Sequence, residues 1–99
     1  MRFLVYWTCP DAGSEPAINQ GFLAYLASGI PKDEEAGFKI LTRMFMPQNC
    51  TGLYITQAEM LAHIYMHTGH WTRRFKVSDE VTPGLSDEEL MGAAQTLLG

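Results

Sequence analysis

All three histidines of the chain stand close together, at His63, His67 and His70. Spacings of four and three place them within about 60° of arc on a helix. Imidazoles so arranged can share a metal ion or face a haem, with Glu59 as a further ligand on the same stripe. The plainer reading is a half-solvated row at the border of an apolar helix face. A second set lies on strand-like segments: Tyr6, Arg43, Tyr54 and Lys76. If their side chains share one sheet face, they offer hydrogen-bond donors over an apolar floor, which suits a small apolar or anionic ligand such as a carboxylate or an enol. The competing reading makes them a dimer interface, where Tyr and Arg are enriched. Trp71 could wall a pocket, although its place on the apolar arc reads first as a core anchor. Cys9 and Cys50 fall at neighbouring strand ends. Two cysteines make neither a disulfide framework nor a zinc site, so reduced thiols are expected, with a redox pair as the alternative. No Ser-His-Asp order, phosphate-cradling glycine loop or pair of catalytic acids is present, and no cofactor is expected.

The elements that must position these groups follow from periodicity. Arg2 to Cys9 is apolar at nearly every position, as in a central strand. After the turn residues Pro10 to Gly13, Ser14 is a candidate N-cap, and Ile18, Phe22, Leu23 and Leu26 recur at helical spacing up to the stop at Gly29 and Pro31. Residues 30 to 37, with four successive charges, read as a solvated loop. Phe38 to Met46 and Thr51 to Thr56 alternate around Pro47 to Cys50 and predict an antiparallel hairpin. Gln57 to His70 predicts a second helix ending at Gly69, and Arg73 to Thr82 a last strand. Ser86 and Glu89 form a capping box ahead of an extra C-terminal helix. The order β-α-β-β-α-β predicts an α+β, ferredoxin-like antiparallel sheet, a single domain over residues 1–99, with its helices on one face.

Alternation also sorts each strand into two faces. One set, Phe3, Val5 and Trp7 with Met44, Leu53 and Ile55, is almost purely apolar and is expected beneath the helices. The other, Tyr6, Leu41, Arg43, Phe45, Tyr54 and Lys76, mixes aromatic and charged groups and is expected to be open. That is much apolar surface to leave wet, so a sheet-to-sheet homodimer including Tyr6, Arg43 and Tyr54 is expected.

Composition limits the partners. The 99 residues carry a net charge of −4, with no basic run longer than Arg73-Arg74, which argues against nucleic acid and an anionic membrane surface. The N-terminal apolar run is too short for a signal peptide and no stretch could span a bilayer, so a cytoplasmic protein is expected.

Several segments resemble a family of small bacterial and phage domains of unknown function, a branch of the dimeric α+β barrel superfamily. They are Arg2 to Thr8, Ser28-Gly29-Ile30-Pro31, Gly37 to Arg43, Gly52-Leu53-Tyr54-Ile55, and Val81-Thr82-Pro83 through Asp87-Glu88-Glu89. The resemblance implies fold and dimer and brings no catalytic residue with it. The wider superfamily holds cofactor-independent monooxygenases, haem-degrading enzymes, lactone isomerases and ligand-binding regulatory domains, among which fold does not choose. The first expectation is therefore a dimeric small-ligand-binding or structural module. The alternatives are a monooxygenase- or isomerase-like enzyme using Tyr6, Arg43 and Tyr54 with His67 or His70 as acid or base, and metal or haem binding by the histidine stripe.

Overall fold

A computed structural model describes all 99 residues. Strand β1 (Arg2–Thr8) leads through a 3-10 turn into helix α1 (Glu15–Ala27). A two-residue strand β2 (Glu34–Glu35) precedes the hairpin of β3 (Phe38–Met46) and β4 (Thr51–Ala58). Helix α2 (Leu61–Phe75), β5 (Ser78–Gly84) and α3 (Asp87–Leu98) complete the chain. The sheet order is β2-β3-β4-β1-β5 and every pairing is antiparallel. With β2 as a short addition at the edge, this is the ferredoxin-like arrangement.

Local signals explain most boundaries. α1 carries Pro16 in its first turn, where a missing N–H is harmless. It stops at Gly29, whose φ of +92° is the left-handed exit that glycine adopts without strain. At α3, Glu89 N donates to Ser86 Oγ (3.2 Å) and Ser86 N donates to Glu89 Oε1 (3.0 Å), completing the expected capping box.

The second helix departs from its sequence reading at both ends. β4 runs on to Ala58, and α2 passes through Gly69 to Phe75, where Lys76 closes it in the left-handed conformation (φ 58°) with its N–H donated to Thr72 O. Gly69 does not break the helix because tertiary packing carries it: Trp71 and Phe75 beyond it join the core. The segment read as strand from Arg73 is thus helical as far as Phe75.

The larger correction concerns faces. Phe3, Val5 and Trp7 lie under the helices as expected, but their partners across β4 are Thr56, Tyr54 and Gly52. Residues directly opposite on paired strands share a face. Hence Tyr54 and Thr56 are buried, while Leu53 and Ile55 turn to the uncovered face. In β3 the register shifts between Ile40 and Thr42, a bulge that leaves Leu41 unpaired. Phe38 and Ile40 face inward before it, Arg43 and Phe45 after it, and Met44 joins the uncovered face.

Trp7 lies flat over Gly52, where a Cβ would fall within 2.5 Å of three indole atoms. Gly52→Ala must therefore push Trp7 off its seat and is expected to destabilise by about 1–3 kcal/mol. Chemical denaturation checks this, and a variant as stable as wild type would disprove the close approach.

Cys9 and Cys50 are bonded to each other, with Cα atoms 5.6 Å apart, which corrects the expectation of free thiols. Antiparallel pairing of β1 with β4 continues one residue further, through the Cys9 N–H donated to Cys50 O, and this brings the two side chains together. No helix is long and apolar enough to cross a membrane.

Candidate functional site

Between the sheet and the two helices lies a cleft walled by aromatic rings. Trp7 stacks on Phe22 (centroids 5.3 Å), Phe22 on Trp71 (4.6 Å) and Trp71 on Phe75 (5.9 Å), while Phe45 tilts against Phe22 at 4.7 Å. Helical spacing places Ile18, Phe22 and Tyr25 of α1 on one stripe, and α2 supplies Thr68, Trp71 and Phe75. The rings close in so far that room for a water-sized sphere is about 30 Å³, inside an envelope of about 550 Å³ that includes the open mouth. That room suffices for one or two water molecules.

The polar groups of this cleft come from five helices and strands and from the loop after α1. Arg43 on β3 forms an ion pair with Asp33 from the loop after α1. Tyr25 Oη donates to Asp33 Oδ1 (2.8 Å) and accepts from Lys32 N (2.9 Å). On the far side Thr72 Oγ1 donates to Asp79 Oδ2 at 2.7 Å. Burial raises the Asp79 carboxyl above its ordinary value, an effect partly offset by that hydrogen bond.

Between these two clusters stand Tyr54 and His67, whose rings meet edge to face at 5.5 Å. Tyr54 Oη and His67 Nδ1 are buried and have no hydrogen-bond partner. Such orphaned polar atoms are uncommon in folded proteins, and each costs about 1–3 kcal/mol if left so. Burial, reinforced by Asp79, raises the Tyr54 hydroxyl far above its usual range, so it stays a neutral donor. Burial, aided by the neighbouring basic groups His70, Lys32 and Arg43, lowers His67 to about 4, so its imidazole is neutral at pH 7.

That neutrality predicts a pH dependence of stability. The unfolded chain takes up a proton at His67 near pH 6.5, whereas the folded chain resists until about 4. Stability is therefore complete above about 6.5 and declines as the pH falls toward 4, by about 3 kcal/mol in all. Denaturation midpoints measured across this window, with His67→Gln as the flatter comparison, test it; parallel curves for the two proteins would remove His67 as the cause.

The structure divides the residues singled out by sequence. Arg43 and Tyr54 are directly opposite across β3 and β4 and both line the cleft, on the helix-covered face rather than the open one. Tyr6 lies on the other side of the sheet, and Lys76 is the exposed cap of α2, so the four do not converge. The three histidines line one small pocket together with Glu35, yet each ring turns to a different neighbour. His67 stacks on Phe38 at 4.3 Å, His63 lies over Gly37, and His70 Nε2 stands 3.5 Å from Lys32 Nζ. No three His, Cys, Asp or Glu side chains gather as a metal site would require. Asp33, Tyr25 and Asp79 were not singled out by sequence. Tyr25 was legible from its helical spacing with Phe22, whereas Asp33 sits within a charged run whose inward fold has no local signal.

Sheet order, helix placement and this enclosed cleft define an α+β protein of ferredoxin-like fold. Within that class the chain belongs to DUF3303, a domain of unknown function, whose family model matches residues 1–98. Among solved structures it is similar to a Deinococcus radiodurans protein provisionally described as an antibiotic biosynthesis monooxygenase. The two are 13% identical with a TM-score of 0.48, over 87% of this chain and 94% of that one. No curated protein matches.

Proposed function

We propose that this protein is a homodimeric small-ligand-binding module whose site is the aromatic cleft between sheet and helices. The observation that carries the reading is the pair of unpartnered buried atoms, Tyr54 Oη and His67 Nδ1, set among stacked rings. A flat aromatic molecule bearing one hydroxyl or carboxylate would separate the rings, contact their faces and give both atoms a partner. Arg43 at the margin is already paired with Asp33, so hydrogen bonding to Tyr54 and His67 rather than charge would hold the ligand. An enzyme of the isomerase or monooxygenase sort is the weaker reading. A base held near 4 is a poor proton acceptor at neutral pH, and His70 is exposed outside the cleft.

Both tryptophans of the chain, Trp7 and Trp71, line the cleft, so their fluorescence reports occupancy. Titration with 1-naphthoate and 2-naphthol is expected to quench it saturably, with affinity about tenfold lower in Tyr54→Phe, equivalent to one lost hydrogen bond. Quenching by neither compound, or equal affinity in the variant, would reject the site.

The dimer part of the proposal rests on the uncovered sheet face, where Leu4, Tyr6, Met44, Leu53 and Ile55 have no helix above them. A contact with a second copy through this face takes in Tyr6 but leaves out Arg43 and Tyr54, contrary to the sequence expectation.

A further inference from the structure

Helix α3 is well formed at its start and unsupported along its length. Leu90, Met91, Ala94, Leu97 and Leu98 fall within about 120° of arc, as in a helix with a surface to pack on. Yet no residue of α3 is buried, and Leu90, Met91, Leu97 and Leu98 are 57, 59, 85 and 88% exposed. A 12-residue helix is marginal in water on its own.

The whole molecule shows the same deficit. It measures 53 × 27 × 20 Å with a radius of gyration of 15.4 Å, where a compact chain of this length has about 12.6 Å. Its accessible surface is 6703 Å². A compact monomer of 11.1 kDa exposes about 5,650 Å². The excess, about 1,050 Å², compares with the roughly 800 Å² that each partner buries in a stable interface.

We infer that α3 is an exchanged arm that seats its apolar stripe on the uncovered sheet face of a second copy, which returns its own arm in the same way. This deepens the dimer reading above and rests on it. The receiving face is matched in kind. Leu4, Leu53, Ile55 and Met44 form its apolar centre, and the row Arg2, Gln57, Lys39, Glu34 leaves one net positive charge at one end. The arm carries Asp87, Glu88 and Glu89 in its first turn and its apolar residues beyond them. A two-fold axis makes the exchange reciprocal, so one contact repeated twice covers both faces and both arms.

The test uses the full chain. Sedimentation velocity at micromolar concentration is expected to show a dimer for wild type and at least 100-fold weaker association for Leu90→Glu combined with Leu97→Glu. Benzoylphenylalanine placed at position 91 and photolysed is expected to yield a species of twice the chain mass, with the crosslink on β1, β3 or β4 of the other copy. A wild-type monomer would overturn both the dimer and the arm. A dimer indifferent to the double variant, or crosslinks confined to one chain, would overturn the arm while leaving the dimer.

Discussion

Val5→Asp is expected to leave the chain unable to fold at neutral pH. Val5 is fully buried in the central strand β1, between Tyr54 on β4 and Val81 on β5. A carboxylate there has no cation within the core to pair with, so it must be desolvated unpaired or take up a proton. Either route costs several kcal/mol, against a total stability of about 5–15 kcal/mol for a small domain. Circular dichroism and thermal melting of the variant provide the check. A soluble Val5→Asp protein melting near wild type would mean that β1 is turned over and that the cleft has been placed on the wrong side of the sheet.

Opening the cross-link between Cys9 and Cys50 is expected to have the next largest effect. The two residues are 41 positions apart, and tying off a loop of that size restricts the unfolded chain by about 3–4 kcal/mol in the loop-entropy description. Cys9→Ser combined with Cys50→Ser should therefore melt roughly 10–20 °C lower than the oxidised wild type. Wild type kept in a thiol reductant should behave like the variant. Equal melting of all three would mean that the bond does not form in solution, which alkylation of the unfolded chain followed by mass measurement would show directly. The link joins the end of β1 to the start of β4, next to the Trp7 and Gly52 contact, so its loss should also loosen the wall of the cleft.

Much of the fold was legible because its signals are local. The apolar run of β1, the alternation in β3, the stop at Gly29, and the Ser86 and Glu89 box each depend on residues within one turn or one strand, where backbone geometry and nearest neighbours decide the outcome. The α2 terminus was misread for the opposite reason. A glycine costs a helix about 1 kcal/mol, and the burial of Trp71 and Phe75 beyond it outweighs that.

The candidate site was legible only in part. Sequence alone determined that Arg43 and Tyr54 share a face and that some apolar sheet surface must remain without a helix above it. Which face carries the cleft was decided by the β1–β4 register and the bulge at Leu41, because a period of two divides a strand into sides without saying which side meets which in the next strand. Only the tertiary structure could set Asp33 against Arg43, hold His67 neutral beneath the rings, bond Cys9 to Cys50 and leave α3 bare. Each of these depends on groups distant in sequence being brought within a few ångströms, and desolvation, ion pairing and thiol bonding act over no greater range.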